Sequence, residues 1–113
     1  MDIAVKDTQG IMVIAVSGEL DASSSGQLTV TIEPLVSQGR PWLVIDLQGV
    51  NFIDSAGLSV LVRCFKHARG AAGTIRLAGL QPSVRRVFEL TRLDRVFDLY
   101  KDTAEAVQRF PGV

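Results

Sequence analysis

Apolar positions alternate between two spacings along the chain. Ile3 and Val5 alternate with polar neighbours, and Thr8-Gln9-Gly10 separates them from the continuous run Ile11-Met12-Val13-Ile14-Ala15-Val16. Two β-rich runs joined by a short glycine-containing link predict a hairpin. The second run is apolar on both faces and so predicts an interior strand. Leu28, Ile32, Leu35 and Val36 then recur at helical spacing. Pro34 falls inside that segment, where a missing N–H and a crowded preceding turn predict a kink or an early end.

Trp42-Leu43-Val44-Ile45 reads as a short central strand, and Gln48 to Ser55 as the loop that follows it. A second helix carries Leu58, Leu61, Val62 and Phe65 on one face and stops at Gly70-Ala71-Ala72-Gly73. Thr74 to Ala78 is a fourth strand. Pro82 opens a short helix bearing Val84, Val87 and Phe88. Val96, Phe97, Leu99 and Tyr100 predict a fifth strand. Asp102, with Glu105 three residues on, caps a last helix that turns Val107 and Phe110 inward.

The resulting order is ββαβαβαβα. It predicts an α/β fold with a mostly parallel mixed sheet, one antiparallel edge hairpin and helices packed against it. In such sheets sites lie beyond the carboxyl ends of the strands, and the segment before Ser55 is at such an end. With 113 residues, the chain is expected to be one domain over 1–113.

Charge narrows the partners. Twelve basic and twelve acidic residues cancel, and no basic stripe follows a phosphate backbone, which argues against direct nucleic-acid binding. Arg85, Arg86, Arg92 and Arg95 are balanced by Glu89, Asp94 and Asp98, as on a solvated face. No apolar run approaches the roughly 20 residues needed to span a bilayer, so no membrane role is expected. The first residues read as a strand rather than a signal peptide. A lone cysteine, Cys64, excludes an internal disulfide and suits a reducing compartment. The expected location is cytoplasmic.

Catalytic chemistry finds little support. His67 is the only histidine and cannot build a four-ligand zinc site with Cys64. It also lies about three turns along the helix from Ser55, beyond hydrogen-bond reach. Asp54-Ser55-Ala56-Gly57 is not a nucleophile elbow. Gly70-Ala71-Ala72-Gly73 lacks the Lys-Ser/Thr of a phosphate loop. Asp46 is expected to end its strand and bond nearby backbone. A receiver-type phospho-aspartate site fails for want of an acidic pair after the first strand. No metal, cofactor or enzyme activity is expected. Ser55 remains: either it or Asp54 caps the second helix, and the small residues Ala56 and Gly57 leave its hydroxyl open.

Gly18-Glu19-Leu20-Asp21, Val44-Ile45-Asp46-Leu47 through Phe52-Ile53-Asp54-Ser55-Ala56-Gly57-Leu58, Val84 to Thr91 with Leu93, and Asp102 to Val107 together resemble the STAS domain family over nearly the whole chain. Within it they resemble the bacterial anti-sigma factor antagonists. The resemblance implies partner switching. An anti-sigma factor that is also a serine kinase would phosphorylate Ser55, a phosphatase would reset it, and the unmodified form would capture the anti-sigma factor and free the sigma factor. ATP and magnesium would belong to the kinase. It also implies a docking face of Asp21, Asp54, Ser55, Gly57 and Leu58 on a monomer or weak dimer. The competing expectations are an unphosphorylated scaffold or accessory subunit, phospholipid-transport or stressosome-like, and small-ligand or nucleotide binding at the same loop. Two residues depart from the pattern: Pro34, and Arg92 where relatives often carry glycine.

Overall fold

The computed structural model describes residues 1–108 and 110. Strands β1 (Asp2–Thr8) and β2 (Ile11–Leu20) form the expected antiparallel hairpin. Helix α1 (Ser25–Ser37), strand β3 (Trp42–Ile53), helix α2 (Ser55–Gly70), strand β4 (Thr74–Ala78) and helix α3 (Pro82–Leu90) follow. A short 3₁₀ turn at Leu93–Arg95, strand β5 (Leu99–Tyr100) and helix α4 (Thr103–Gln108) complete the order. The five strands lie in sequence order, β1-β2-β3-β4-β5, and every pair after the first is parallel.

Crossovers between sequential parallel strands share one hand, so α1, α2 and α3 fall on one face of the sheet. Side-chain parity shows the division. Met12, Ile14 and Val16 of β2 and Leu43, Ile45 and Leu47 of β3 are buried with Leu28 and Ile32 of α1, Leu61 of α2 and Phe88 of α3. The opposite parity, Ile11, Val13 and Val44, is buried with Ala106, Val107 and Phe110 of the α4 end. Double-sided burial explains why β2 and the start of β3 are unbroken apolar runs. Arg76 fastens α4 to the sheet. Its guanidinium lies 4.1 Å from the Phe110 ring centroid and donates from Nη1 to the Ala106 carbonyl at 3.3 Å.

Four local expectations change. Helix α1 does not end early at Pro34 but runs on to Ser37. The carbonyl deprived of its partner belongs to Val30, a residue 74% exposed, so water can replace the missing bond. The fifth strand shrinks to Leu99–Tyr100 because Phe97 leaves the sheet edge for the core, edge-on to Phe65 and Phe88. Cys64 faces the core, with Val60 and Ala68, while Val62 and Phe65 are only half-buried. The fourth change bears on the site: Gln48 to Ile53 is strand, not loop.

Beyond Asp46, β3 keeps pairing with β2 through two irregularities. Ala15 pairs with Asp46 but Ser17 with Gly49; Gly18 pairs with Val50 but Glu19 with Phe52. Each shift inserts one extra residue into β3, as a bulge does. Asp46 does not end the strand; its Oδ1 accepts the Gln48 N–H at 2.9 Å, serving the first bulge. A Cβ at Gly49 would lie 2.7 Å from that of Ser17, so the close approach of the strands requires glycine there.

Candidate functional site

The bulged extension of β3 brings two segments together that are far apart in sequence. Leu20 and Ile53 are register partners at the ends of β2 and β3. Asp21 and Asp54 are the next residues of each chain segment, and the Asp54 N–H donates to the Leu20 carbonyl at 3.3 Å. Each aspartate then organises the helix that follows it.

Asp54 is the cap of α2. It has extended backbone angles, and its Oδ1 accepts the Gly57 N–H at 3.0 Å. Its carbonyl accepts the Leu58 N–H at 2.9 Å. Of the two capping candidates, then, Asp54 holds the role and Ser55 is the first helical residue. The Ser55 side chain is exposed and takes part in none of the side-chain hydrogen bonds among the described residues. The N–H groups of Ser55 and Ala56 have no carbonyl to bond within the helix. An oxyanion attached to the Ser55 hydroxyl would meet these two donors at the positive end of a helix of 16 residues.

Asp21 builds a tighter loop. Its Oδ1 accepts the Ser23 hydroxyl at 2.8 Å, the Ser23 N–H at 3.0 Å and the Ser24 N–H at 3.2 Å. The Ser24 hydroxyl donates to the Glu19 carbonyl at 2.7 Å and accepts the Asp21 N–H at 3.0 Å. This explains Ser24 as a buried polar residue. The Ser23 hydroxyl is the main cause holding the Asp21 carboxyl below its ordinary value of 3.8, with the other bonds of the loop adding to it. A carboxylate so committed is a fixed negative charge and a poor proton acceptor.

Gly57 is buried, and its neighbours explain it. A Cβ there would lie 2.9 Å from Ile53 Cγ1 and 3.0 Å from Leu20 Cγ, and would overlap the Leu20 carbonyl. The glycine seats the first turn of α2 on the end of β2. What approaches this small residue closely is the protein's own strand, so Gly57 positions Ser55 without offering surface. Leu58 is half-buried against the core and borders a shallow cleft of about 420 Å³ with Val62, Arg63, Lys66 and Leu93.

The structure thus brings Asp21, Asp54, Ser55, Gly57 and Leu58 to one end of the sheet. Sequence reasoning overlooked the cleft and Phe52, which is 47% exposed on the bulged part of β3. The helical spacing of Leu58 and Val62 pointed to burial, yet both are only partly buried and line the cleft with Leu93. Asp46 lies back along β3, and His67 is exposed late in α2. Among the described residues no group of three or more His, Cys, Asp or Glu could hold a metal ion. No helix among them is long and apolar enough to cross a membrane.

Comparison with known proteins agrees with this arrangement. The chain is 31% identical over 108 residues to the anti-sigma-B factor antagonist of Bacillus subtilis, covering 96% of this chain and 98% of that one. The crystal structure of an anti-sigma factor antagonist from Mycobacterium paratuberculosis superposes with a TM-score of 0.85 at 34% identity, covering 95% and 91% of the two chains. The Bacillus cell fate determinant SpoIIAA in its phosphorylated form superposes with a TM-score of 0.75 at 24% identity, covering 96% and 98%; that likeness concerns the fold alone. Residues 2–106 match the STAS domain, and with its sheet order and paired strand ends the chain belongs to the STAS domain family.

Proposed function

We propose that this protein is an anti-sigma factor antagonist that works by partner switching, with Ser55 as the phosphate acceptor. The observation that carries the reading is the exposed hydroxyl on the first residue of α2, beside the cap Asp54 and two helix-end N–H groups. The anti-sigma-B factor antagonist of Bacillus subtilis, related over nearly its full length, supports the role. The same fold also occurs in SpoIIAA, which is known in unphosphorylated and phosphorylated forms.

Phosphorylation adds about 1.5 to 2 negative charges. The helix end solvates part of that charge, so the fold need not rearrange. The face itself changes sign and bulk, beside Asp54 and at the same end of the sheet as Asp21. A partner that buries this face must then desolvate a dianion. A loss of about 4 kcal/mol weakens binding roughly a thousandfold. Asp54, Ser55 and Leu58 form the contact face with Asp21, and Gly57 sets the position of the helix. The protein acts as substrate and binding module; the kinase partner supplies ATP and magnesium, and a phosphatase restores the serine.

Incubation with an anti-sigma factor kinase, ATP and magnesium should add one phosphate by mass spectrometry, and Ser55→Ala should abolish it. Ser55→Asp should weaken binding of the unmodified protein's anti-sigma partner at least tenfold. Undiminished phosphate on Ser55→Ala overturns the acceptor assignment. Full-affinity binding by Ser55→Asp overturns the charge mechanism and favours a scaffold that uses the face without modification.

A further inference from the structure

β1 closes one side of the sheet, and among the described residues its outer edge pairs with no other strand. Unpaired edges of this length invite strand addition unless something blocks them. Here Val5, on the edge strand, is 45% exposed, and Val30 of α1 is 74% exposed. An open groove of about 630 Å³ runs between the start of β1 and α1, lined by Met1, Ile3, Gln27 and Val30. We propose that a second copy of this chain pairs with this edge, β1 against β1, antiparallel and centred on Ala4.

The register follows from symmetry and charge. Successive residues of a strand turn their backbone groups alternately inward and outward, so directly opposed residues must have the same parity in both copies. Only pairings centred on a residue satisfy this. Centring on Lys6 sets two like charges face to face. Centring on Val5 sets Ile3 against Asp7 and leaves Lys6 opposite Ala4. Centring on Ile3 leaves both Asp2 and Lys6 without a charged partner. Centring on Ala4 opposes Asp2 of each copy to Lys6 of the other, and Ile3 to Val5, twice each.

Parity also places these pairs. Ile3 pairs with Val16 and Val5 with Ile14 on β2, both core residues of the α1–α3 side. The second copy's Val5 therefore arrives beside Ile3, at the groove bordered by Val30. Asp2 and Lys6, both exposed, lie on the opposite face of the strand, where the two ion pairs form in solvent. The edge is thus self-complementary in one register, and the interface, Asp2 to Lys6 of the seven-residue β1 from each copy, is small enough to be reversible.

Sedimentation equilibrium of the full chain, from micromolar to millimolar concentration, tests this. The unmodified protein should show a reversible monomer–dimer equilibrium. Asp2→Lys and Lys6→Glu should each weaken it at least tenfold, because each places like charges in both pairs. The double variant Asp2→Lys/Lys6→Glu reverses both pairs and should restore dimerisation to within about threefold. Both side chains are exposed, and unchanged far-ultraviolet circular dichroism will show that each variant folds. A monomer over the whole range, a dimer indifferent to the single changes, or a double variant without rescue overturns the proposal. Ser55 is untouched by these changes, so its phosphorylation reads out the functional reading separately.

Discussion

Replacing Gly57 by alanine sets helix propensity against packing. In an isolated helix the change favours folding by roughly 1 kcal/mol. In this protein the new methyl would sit 2.9 Å from Ile53 Cγ1 and 3.0 Å from Leu20 Cγ, and against the Leu20 carbonyl. Carbon atoms prefer about 3.5–4.0 Å, so the neighbours would have to retreat by about half an ångström to one ångström. They have little room to do so: Leu20 is 0% and Ile53 5% exposed, and a carbonyl fixed in a strand pair moves only with its strand. Overpacking of this kind costs about 1–3 kcal/mol, and the backbone contact places Gly57 toward the upper end. The net loss is about 1–2 kcal/mol. At about 4 °C per kcal/mol for a domain of this size, the midpoint should fall by about 4–8 °C. The cheapest relief lifts the first turn of α2 from β2 and stretches the 3.3 Å bond from Asp54 to Leu20, so Ser55 phosphorylation should slow as well. Differential scanning calorimetry and urea unfolding measure the stability. Gly26→Ala, in α1 with no atom within 4 Å of the added methyl, is the control and should be at least as stable as the parent. A Gly57→Ala protein as stable as the parent refutes the seat described for α2.

Arg92 has φ 64° and ψ 16°, in the left-handed region, which costs a side-chain-bearing residue about 1–2 kcal/mol. Glycine relieves this but gains unfolded-state entropy worth about 0.4–1 kcal/mol, so Arg92→Gly should stabilise by about 0.5–1 kcal/mol in urea unfolding; no gain would contradict the strain. Asp21 has its carboxyl held below the ordinary 3.8, chiefly by Ser23. The stability this supplies is complete above pH 3.8 and is lost as pH falls through the lowered value. The gap between parent and Asp21→Asn should therefore be constant near neutrality and narrow only in strong acid, and a gap that closes near pH 6 would refute the assignment. Burial and the nearby Glu33 push the Cys64 thiol up to about 11, leaving about one thiolate in a thousand at pH 8. Iodoacetamide should label the native protein far more slowly than the protein in urea, and equal rates would show that the thiol is accessible.

The pattern of apolar residues carried most of the architecture. Ile11 to Val16 and Trp42 to Ile45 read as interior strands because both faces are covered, one by α1–α3 and the other by α4. Thr74 to Ala78 and the Pro82 helix start were legible to the residue, since glycine before a strand and proline at a first helical position act locally. The Asp102 cap was legible for the same reason: its Oδ1 accepts the Glu105 N–H at 2.9 Å. Arg92 too was visible as a departure, because positive φ at that turn belongs to the backbone path.

The sequence by itself determined the order of elements and the serine at the end of a strand–helix passage, because spacing, caps and breakers act over a few residues. Tertiary structure alone decided how that serine is held. Gln48, Gly49 and Asn51 look like a turn in isolation, yet Gly49, Val50, Phe52 and Ile53 pair with Ser17 to Leu20 and carry Gln48 and Asn51 along in the two bulges of β3, because partner strands satisfy backbone groups that local propensity would leave to solvent. The same pairing sets Asp54 beside Leu20 and makes Gly57 a contact residue instead of an open one. Phe97 left its expected strand for the core, where it packs edge-on to Phe65 and Phe88. Such outcomes depend on residues thirty or more positions apart, and no local pattern encodes them.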